Sequence, residues 1–211
     1  FWYLKFLLFI EARSMSRWSR EEIEEAFEMY QVMGLISARS GDWTHWGNMF
    51  TENCTYIEQN LGEWAGREAV VRNMSAVMHL SGDEDLAYES RDQGTISDPW
   101  VMCNQYPVEA YHIDVEGGWV WALIWNQMVD PGDGSIHRSN CFNLFKYAGN
   151  GEFSYEEDLY NPQEFLDMME EWLPVWNGCK ENAEKDDKHL NDLSVGAKKA
   201  LESHKAGPQA S

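Results

Sequence analysis

Two acids in this chain, Glu58 and Asp158, have the surroundings that proton-transfer chemistry needs. The run Asn53-Cys54-Thr55-Tyr56-Ile57-Glu58-Gln59-Asn60 reads as a strand, and its period of two sets Cys54, Tyr56 and Glu58 on one face. Asp158 belongs to a second expected strand, over residues 152–160. A carboxylate turned into an aromatic interior loses its water, which lifts its pKa toward neutrality. Two such groups in one cavity repel when both are ionised, so one tends to keep a proton while the other stays charged. Isomerisation, dehydration and aldol cyclisation use that asymmetry, with one group removing a proton from carbon and another returning it. Tyr56 would donate to a substrate oxygen or orient the carboxylate. Structural roles compete with each of these: Glu58 paired with a cation at the strand edge, Asp158 capping the next helix, Tyr56 a core residue with its hydroxyl on backbone.

A second group of side chains would bind rather than react. In the expected strand 119–129, Trp119, Trp121, Leu123 and Trp125 alternate with Val120, Ala122, Ile124 and Asn126. An amide amid such residues must find polar partners, so Asn126 marks its own row as the inward one, with Ile124 beside it. Tyr30 and Trp46 are expected inward from the first two helices. Of the histidines, His112 stands out because Val108, Ala110 and His112 alternate on one strand face, and imidazole titrates near neutrality. The cysteines at 54, 103, 141 and 179 lie far apart without a C-x-x-C. Neither a zinc site nor a disulfide framework is expected, and reduced thiols in a cytoplasmic setting are. No calcium-type acidic loop occurs; no metal and no cofactor is expected.

The elements that would position these groups follow from caps and periodicity. Ser19-Arg20-Glu21-Glu22 is a capping box opening a helix over 19–38, with Ile23, Phe27, Tyr30 and Leu35 as its stripe. A short helix over 43–50 turns Trp43, Trp46 and Phe50 inward. Gly62 and Gly66 frame a turn before a helix over 67–80, striped by Val70, Met74, Val77 and Met78. From 81 to 104 the pattern fails, and a stretch that long is a candidate lid, with an irregular surface excursion containing one weak strand as the alternative. Strands over 108–114, 119–129, 136–147 and 152–160 then form a meander whose turns carry Gly and Asn, and a helix over 163–173 closes the body. Helices first and hairpin strands after is an α+β order.

Composition bounds the partners. The 211 residues carry a formal charge of −20, which argues against a nucleic-acid backbone or an anionic membrane surface. Eleven tryptophans suit a broad aromatic interior and a small hydrophobic ligand. The folded body is expected over 15–179. Residues 1–14, almost wholly apolar up to Ile10, are expected to be translated upstream sequence or a cloning remnant, with a truncated membrane anchor as the alternative. Ten apolar residues fall short of the ~20 that span a bilayer. Residues 180–211, with balanced Lys and acids, read as a solvated tail, partly helical or disordered.

Phe50-Thr51-Glu52-Asn53-Cys54-Thr55-Tyr56-Ile57-Glu58, followed by Gly66-Arg67-Glu68-Ala69-Val70, resembles the opening of the nuclear transport factor 2-like superfamily. Its members include SnoaL-like polyketide cyclases, ketosteroid isomerase and limonene epoxide hydrolase. The Gly41-Asp42-Trp43 step and the closing Glu157-Asp158-Leu159-Tyr160-Asn161-Pro162 fit the same pattern. The resemblance implies an α+β cone, in which N-terminal helices close a curved antiparallel sheet around a hydrophobic pocket, and commonly a homodimer. Glu58 falls where ketosteroid isomerases carry their general base. The helix-one tyrosine of those enzymes corresponds to Gly34, so that donor is absent, and Tyr30, one turn earlier, would substitute only with a shift of the helix. Against limonene epoxide hydrolase, Tyr56 and Asp158 occupy expected polar positions, but Ile124 and Asn126 replace its arginine and aspartate. What the resemblance implies is a cofactor-free lyase or isomerase of cyclase, dehydratase or isomerase type acting on a hydrophobic, oxygenated molecule. The alternative is a non-catalytic module of the same fold that binds a lipophilic ligand or a protein.

Overall fold

The computed structural model describes residues 17–78, 102–179, 181 and 197–199. The 1–14 segment and the proposed lid lie outside the described residues, apart from Met102 to Asn104 at the end of the latter.

Helix α1 (Arg20–Ser40) begins as its capping box dictates, with Ser19 Oγ accepting from the Glu22 amide at 3.0 Å. It ends where Gly41 adopts a left-handed φ of 79° and donates its amide to Ser37 O. Helix α2 is shorter than expected, Thr44–Gly47. Phe50, assigned to that helix from its aromatic spacing, instead starts strand β1 (Phe50–Glu58), because it pairs across to Phe153. The 62–66 turn holds a short strand, β2 (Gly62–Ala65), antiparallel to β1, and α3 (Arg67–Met78) follows.

Beyond residue 101 lie β3 (Cys103–Gln105), β4 (Val108–Asp114), β5 (Trp119–Met128), β6 (Arg138–Gly149) and β7 (Glu152–Leu159). β3 falls at the end of the stretch read as loop; three residues are too few to show a period, and only pairing with the far end of β5 makes them a strand. The β6–β7 hairpin turns on Asn150 and Gly151, at φ 57° and 77°, the positive pair that a two-residue turn between twisted strands requires. Helix α4 (Pro162–Cys179) opens with proline at a position whose amide has no helical acceptor, and Asn161 Oδ1 caps it by accepting from Gln163 N at 3.1 Å. It continues past Pro174, beyond the expected end at 173. Trp172 and Trp176 stack at 5.1 Å and bury together with Met102, Met128 and Phe165, which offsets the lost helical hydrogen bond.

The seven strands form one curved, unclosed sheet in the order β2-β1-β7-β6-β5-β3, with β4 also pairing to β5. All neighbours are antiparallel except β1 and β7, which run parallel. Helices α1 to α3 cover one face, and the main core lies between them and the sheet, with Phe27, Phe50, Tyr56, Phe145 and Phe153 at most 1% exposed. Within the segment read as a tail, Ala197 is fully buried against Val32 and Leu35 of α1. Among the described residues no helix is long and apolar enough to cross a membrane.

One expectation fails here. Val108 pairs with Ile124, but Ala110 pairs with Leu123 and His112 with Trp121. The register slips by one between Val108 and Ala110, a β-bulge, and each slip of one residue moves the following side chains to the opposite face. Val108 therefore packs on the core, while His112 is exposed on the outer face, stacked over Trp121 at 6.0 Å. His112 does not line the cavity.

Candidate functional site

The site is built on the parallel pairing of β1 with β7, which sets Tyr56 opposite Glu156 and Glu58 opposite Asp158. Four consecutive inward positions on two adjacent strands thus bring three carboxyl groups and a phenol together. The opposite row, Ile57 with Glu157, points outward. Helix α1 supplies Tyr30 from above, whose hydroxyl donates to Glu156 Oε1 at 2.6 Å. β6 supplies Asn143, paired with Asp158 in register.

The hydrogen bonds give the three acids different tasks. Tyr56 donates its hydroxyl to Asp158 Oδ2, and Asn143 donates its amide to Oδ1, so both oxygens of Asp158 are held. Glu58 is less restrained: the Asn60 amide is 3.5 Å from Oε1, and the Tyr160 hydroxyl reaches the carboxylate. Glu156 is fully buried, and its Oε2 has no hydrogen-bond partner.

Burial dominates the electrostatics. It pushes Glu58 up to about 7, with the neighbouring charge of Asp158 adding to the rise. It lifts Asp158 to about 6, against the pull of hydrogen bonds from Tyr56 and Asn143. Glu156 is raised well above the carboxylate range, by burial first and then by Asp158. Burial thus favours the protonated form of Glu156, while at neutral pH Asp158 is mostly ionised and Glu58 is balanced between its two forms.

Tyr30, Tyr56, Glu58, Asn143 and Asp158 line a cavity of about 120 Å³, of the same order as a ~150 Å³ cavity that takes up benzene. Glu156 is buried beside them and does not line it. Trp43, Trp46, Trp64, Tyr56 and Tyr106 form its aromatic wall, and Tyr56 stacks on Trp64 at 5.1 Å. No Lys, Arg or His is among the described residues that line it. Seven of the eight residues expected at the site from sequence line this cavity: Glu58, Asp158, Tyr56, Asn126, Tyr30, Trp46 and Ile124. Neither of the competing structural roles for the acids is realised: no cation pairs with Glu58 among the described contacts, and Asn161 caps α4. Tyr30 needs no shift of its helix to reach the acids, and Gly34, one turn on, lines the cavity too.

Three contributors escaped the sequence reading. Glu156 shares the face of Asp158 by the period of two, a signal present in Glu156-Glu157-Asp158. Asn143 had no such mark, since nothing local ties it to Asp158. Trp43 was expected inward, but not that its indole N–H would be buried on the cavity wall without an acceptor. Among the described residues no group of three His, Cys, Asp or Glu is arranged to hold a metal ion.

No family model matches the sequence, and no curated protein matches it. Among solved structures, the chain is similar to an NTF2-like protein from Anabaena variabilis, at 14% identity over 70% of this chain and 95% of that one, with a TM-score of 0.43. It is similar to the epoxide hydrolase/cyclase-like enzyme SalBIII of pyran ring formation in the polyether salinomycin, at 15% identity over 69% and 95% of the two chains, TM-score 0.43. A protein of ketosteroid isomerase-like fold from Catenulispora acidiphila, solved with trimethylamine, is 16% identical over 64% and 92%, TM-score 0.41. At these identities and TM-scores the likeness carries no argument about chemistry, which rests on the cavity's own residues. The solved structures that this chain resembles are thus NTF2-like and ketosteroid isomerase-like in description, in keeping with its helix-covered, curved sheet.

Proposed function

We propose that this chain is a cofactor-free lyase or isomerase that moves protons on a small, largely apolar, oxygen-bearing molecule. The observation that carries the reading is the convergence of Glu58 and Asp158 on one aromatic cavity, with no cation among the described residues that line it. Glu58 is the proton-transfer group, since of the two acids that line the cavity its oxygens are the less engaged and its pKa of about 7 lets it take and return a proton at equal ease. Asp158, fixed by Tyr56 and Asn143, is the standing charge that keeps Glu58 basic. Glu156, held by Tyr30, backs Asp158 from the core. Trp43 Nε1 is a ready donor for a substrate oxygen, and Asn126 and Ile124 shape the opposite wall. The volume suits a reacting portion of six to eight or so non-hydrogen atoms, by comparison with the benzene-binding cavity.

Hydrogen exchange tests this without the physiological substrate. The α protons of cyclopentanone are followed by NMR in D2O with catalytic amounts of protein. Wild type is expected to accelerate exchange, with a rate that rises with pH through about 7, and Glu58→Gln to remove the acceleration while remaining folded. Equal rates for the two proteins would end the assignment of Glu58.

Assembly as a homodimer belongs to the same proposal. The outer face of the sheet exposes Trp121 at 47%, Phe142 at 57% and Leu159 at 46%, neighbours across β5, β6 and β7. A contiguous apolar face of that kind fits association with a second copy. It is also the observation that favours the non-catalytic reading, in which the face recognises another protein.

A further inference from the structure

Two carboxyl groups, Glu58 and Asp158, line the cavity, Glu156 lies fully buried beside them, and no Lys, Arg or His is among the described residues of the lining. Burying carboxylates without a counter-charge is costly, and proteins ordinarily place a cation beside them. The lining holds aromatic side chains instead: Trp43, Trp46, Trp64 and Tyr106. Ring faces attract cations, and attract them most strongly where water is excluded.

A second observation is independent of the acids. Asn143 is 93% buried on the cavity wall, its amide N–H₂ spent on Asp158, and its Oδ1 has no partner. An unpartnered buried carbonyl oxygen costs ~1–3 kcal/mol, and it accepts only from a donor. A donor on the ligand, such as an ammonium N–H, would satisfy Oδ1.

We infer that the ligand of this cavity carries a basic amine, bound in its cationic form between the Glu58–Asp158 pair and the tryptophan wall. This deepens the proposed function and rests on it only in taking the cavity as the binding site. The cation supplies the missing counter-charge, so both acids ionise when it binds, and Glu58 reaches the bound molecule as a base. The titratable groups that face Glu58 are Tyr56 on β1, Glu156 and Asp158 on β7, Tyr160 beyond it, Cys141 on β6 and Tyr30 on α1. None of these is cationic, so the change in Glu58 charge is not cancelled by a neighbour.

The test compares choline with its uncharged carbon isostere, 3,3-dimethyl-1-butanol, by tryptophan fluorescence and calorimetry from pH 6 to 8. The two share size and hydroxyl group, so the pair isolates charge. Choline is expected to bind at least tenfold tighter than the isostere at pH 8. Its affinity should fall about tenfold by pH 6, because the ionised share of a group with a midpoint of about 7 drops from about nine-tenths to about one-tenth. In Glu58→Gln that fall should shrink to the part that Asp158 contributes, which separates the cavity from the general attraction of an acidic surface. If the isostere binds as tightly as choline with no pH dependence, the amine assignment is overturned while the cavity remains a binding site. If neither binds, the amine assignment and the cavity reading fall together.

Discussion

Replacing Asp158 by Asn removes a charge beside Glu58 while keeping the shape of the side chain, and the titration of Glu58 reports the result. Glu58 stands at about 7 against an ordinary 4.5, a rise on the order of 3 kcal/mol. Burial is the larger cause and Asp158 the second, so the charge accounts for less than half, on the order of 1 kcal/mol. Coulomb repulsion of that size is ordinary for charges roughly 5–6 Å apart where water still reaches the site. In Asp158→Asn the Glu58 midpoint should therefore fall by about one, to about 6. Carbon-13 NMR of glutamate side-chain carboxyls reads it directly, with Glu58→Gln identifying the resonance. A midpoint that stays at 7 would mean that burial alone sets the basicity of Glu58. A midpoint that rises would mean that Asp158 acts through its hydrogen bonds and not its charge. Either result refutes the division of roles between the two acids.

Three further outcomes follow from the same geometry. Glu58 binds its proton more tightly in the folded than in the unfolded chain, so its contribution is whole below about pH 4.5 and is lost as pH rises through about 7, on the order of 3 kcal/mol. Urea unfolding should accordingly show Glu58→Gln near wild type at pH 4 and more stable than wild type at pH 8; a constant difference would contradict the shift. Tyr30→Phe deprives the buried Glu156 of its one geometric donor and should cost ~1–3 kcal/mol in the same assay, whereas a neutral result would mean that the Glu156 proton is satisfied elsewhere. Phe142→Glu on the outer face should convert a dimer to monomer in sedimentation without lowering unfolding stability, and a wild type that sediments as monomer would remove the dimer from the proposal.

The architecture was legible where local chemistry decides it. Ser19 caps α1, Asn150-Gly151 turns the last hairpin, and the alternation of β1 turns Tyr56 and Glu58 inward, all as their residue types demand. Local pattern failed where a distant partner decides the state of the chain. Phe50 left its helix to pair with Phe153, Cys103–Gln105 became a strand against Met128 and Gln127, and α4 ran past Pro174 because two stacked tryptophans hold it. His112 was lost to a single bulged residue, which no alternation rule can reveal because it is a property of the pairing with β5.

The chain by itself determined which acids could meet, since a period of two fixes the faces of Glu58 and Asp158 whatever their strands do next. Only the tertiary structure decided that they do meet. The parallel register of β1 with β7 joins residues a hundred positions apart, and brings in Glu156, Tyr30 and Asn143 with them. It also decided their proton affinities, because desolvation and charge repulsion depend on what surrounds a carboxylate in space, and that is set by contacts between strands and helices remote in sequence.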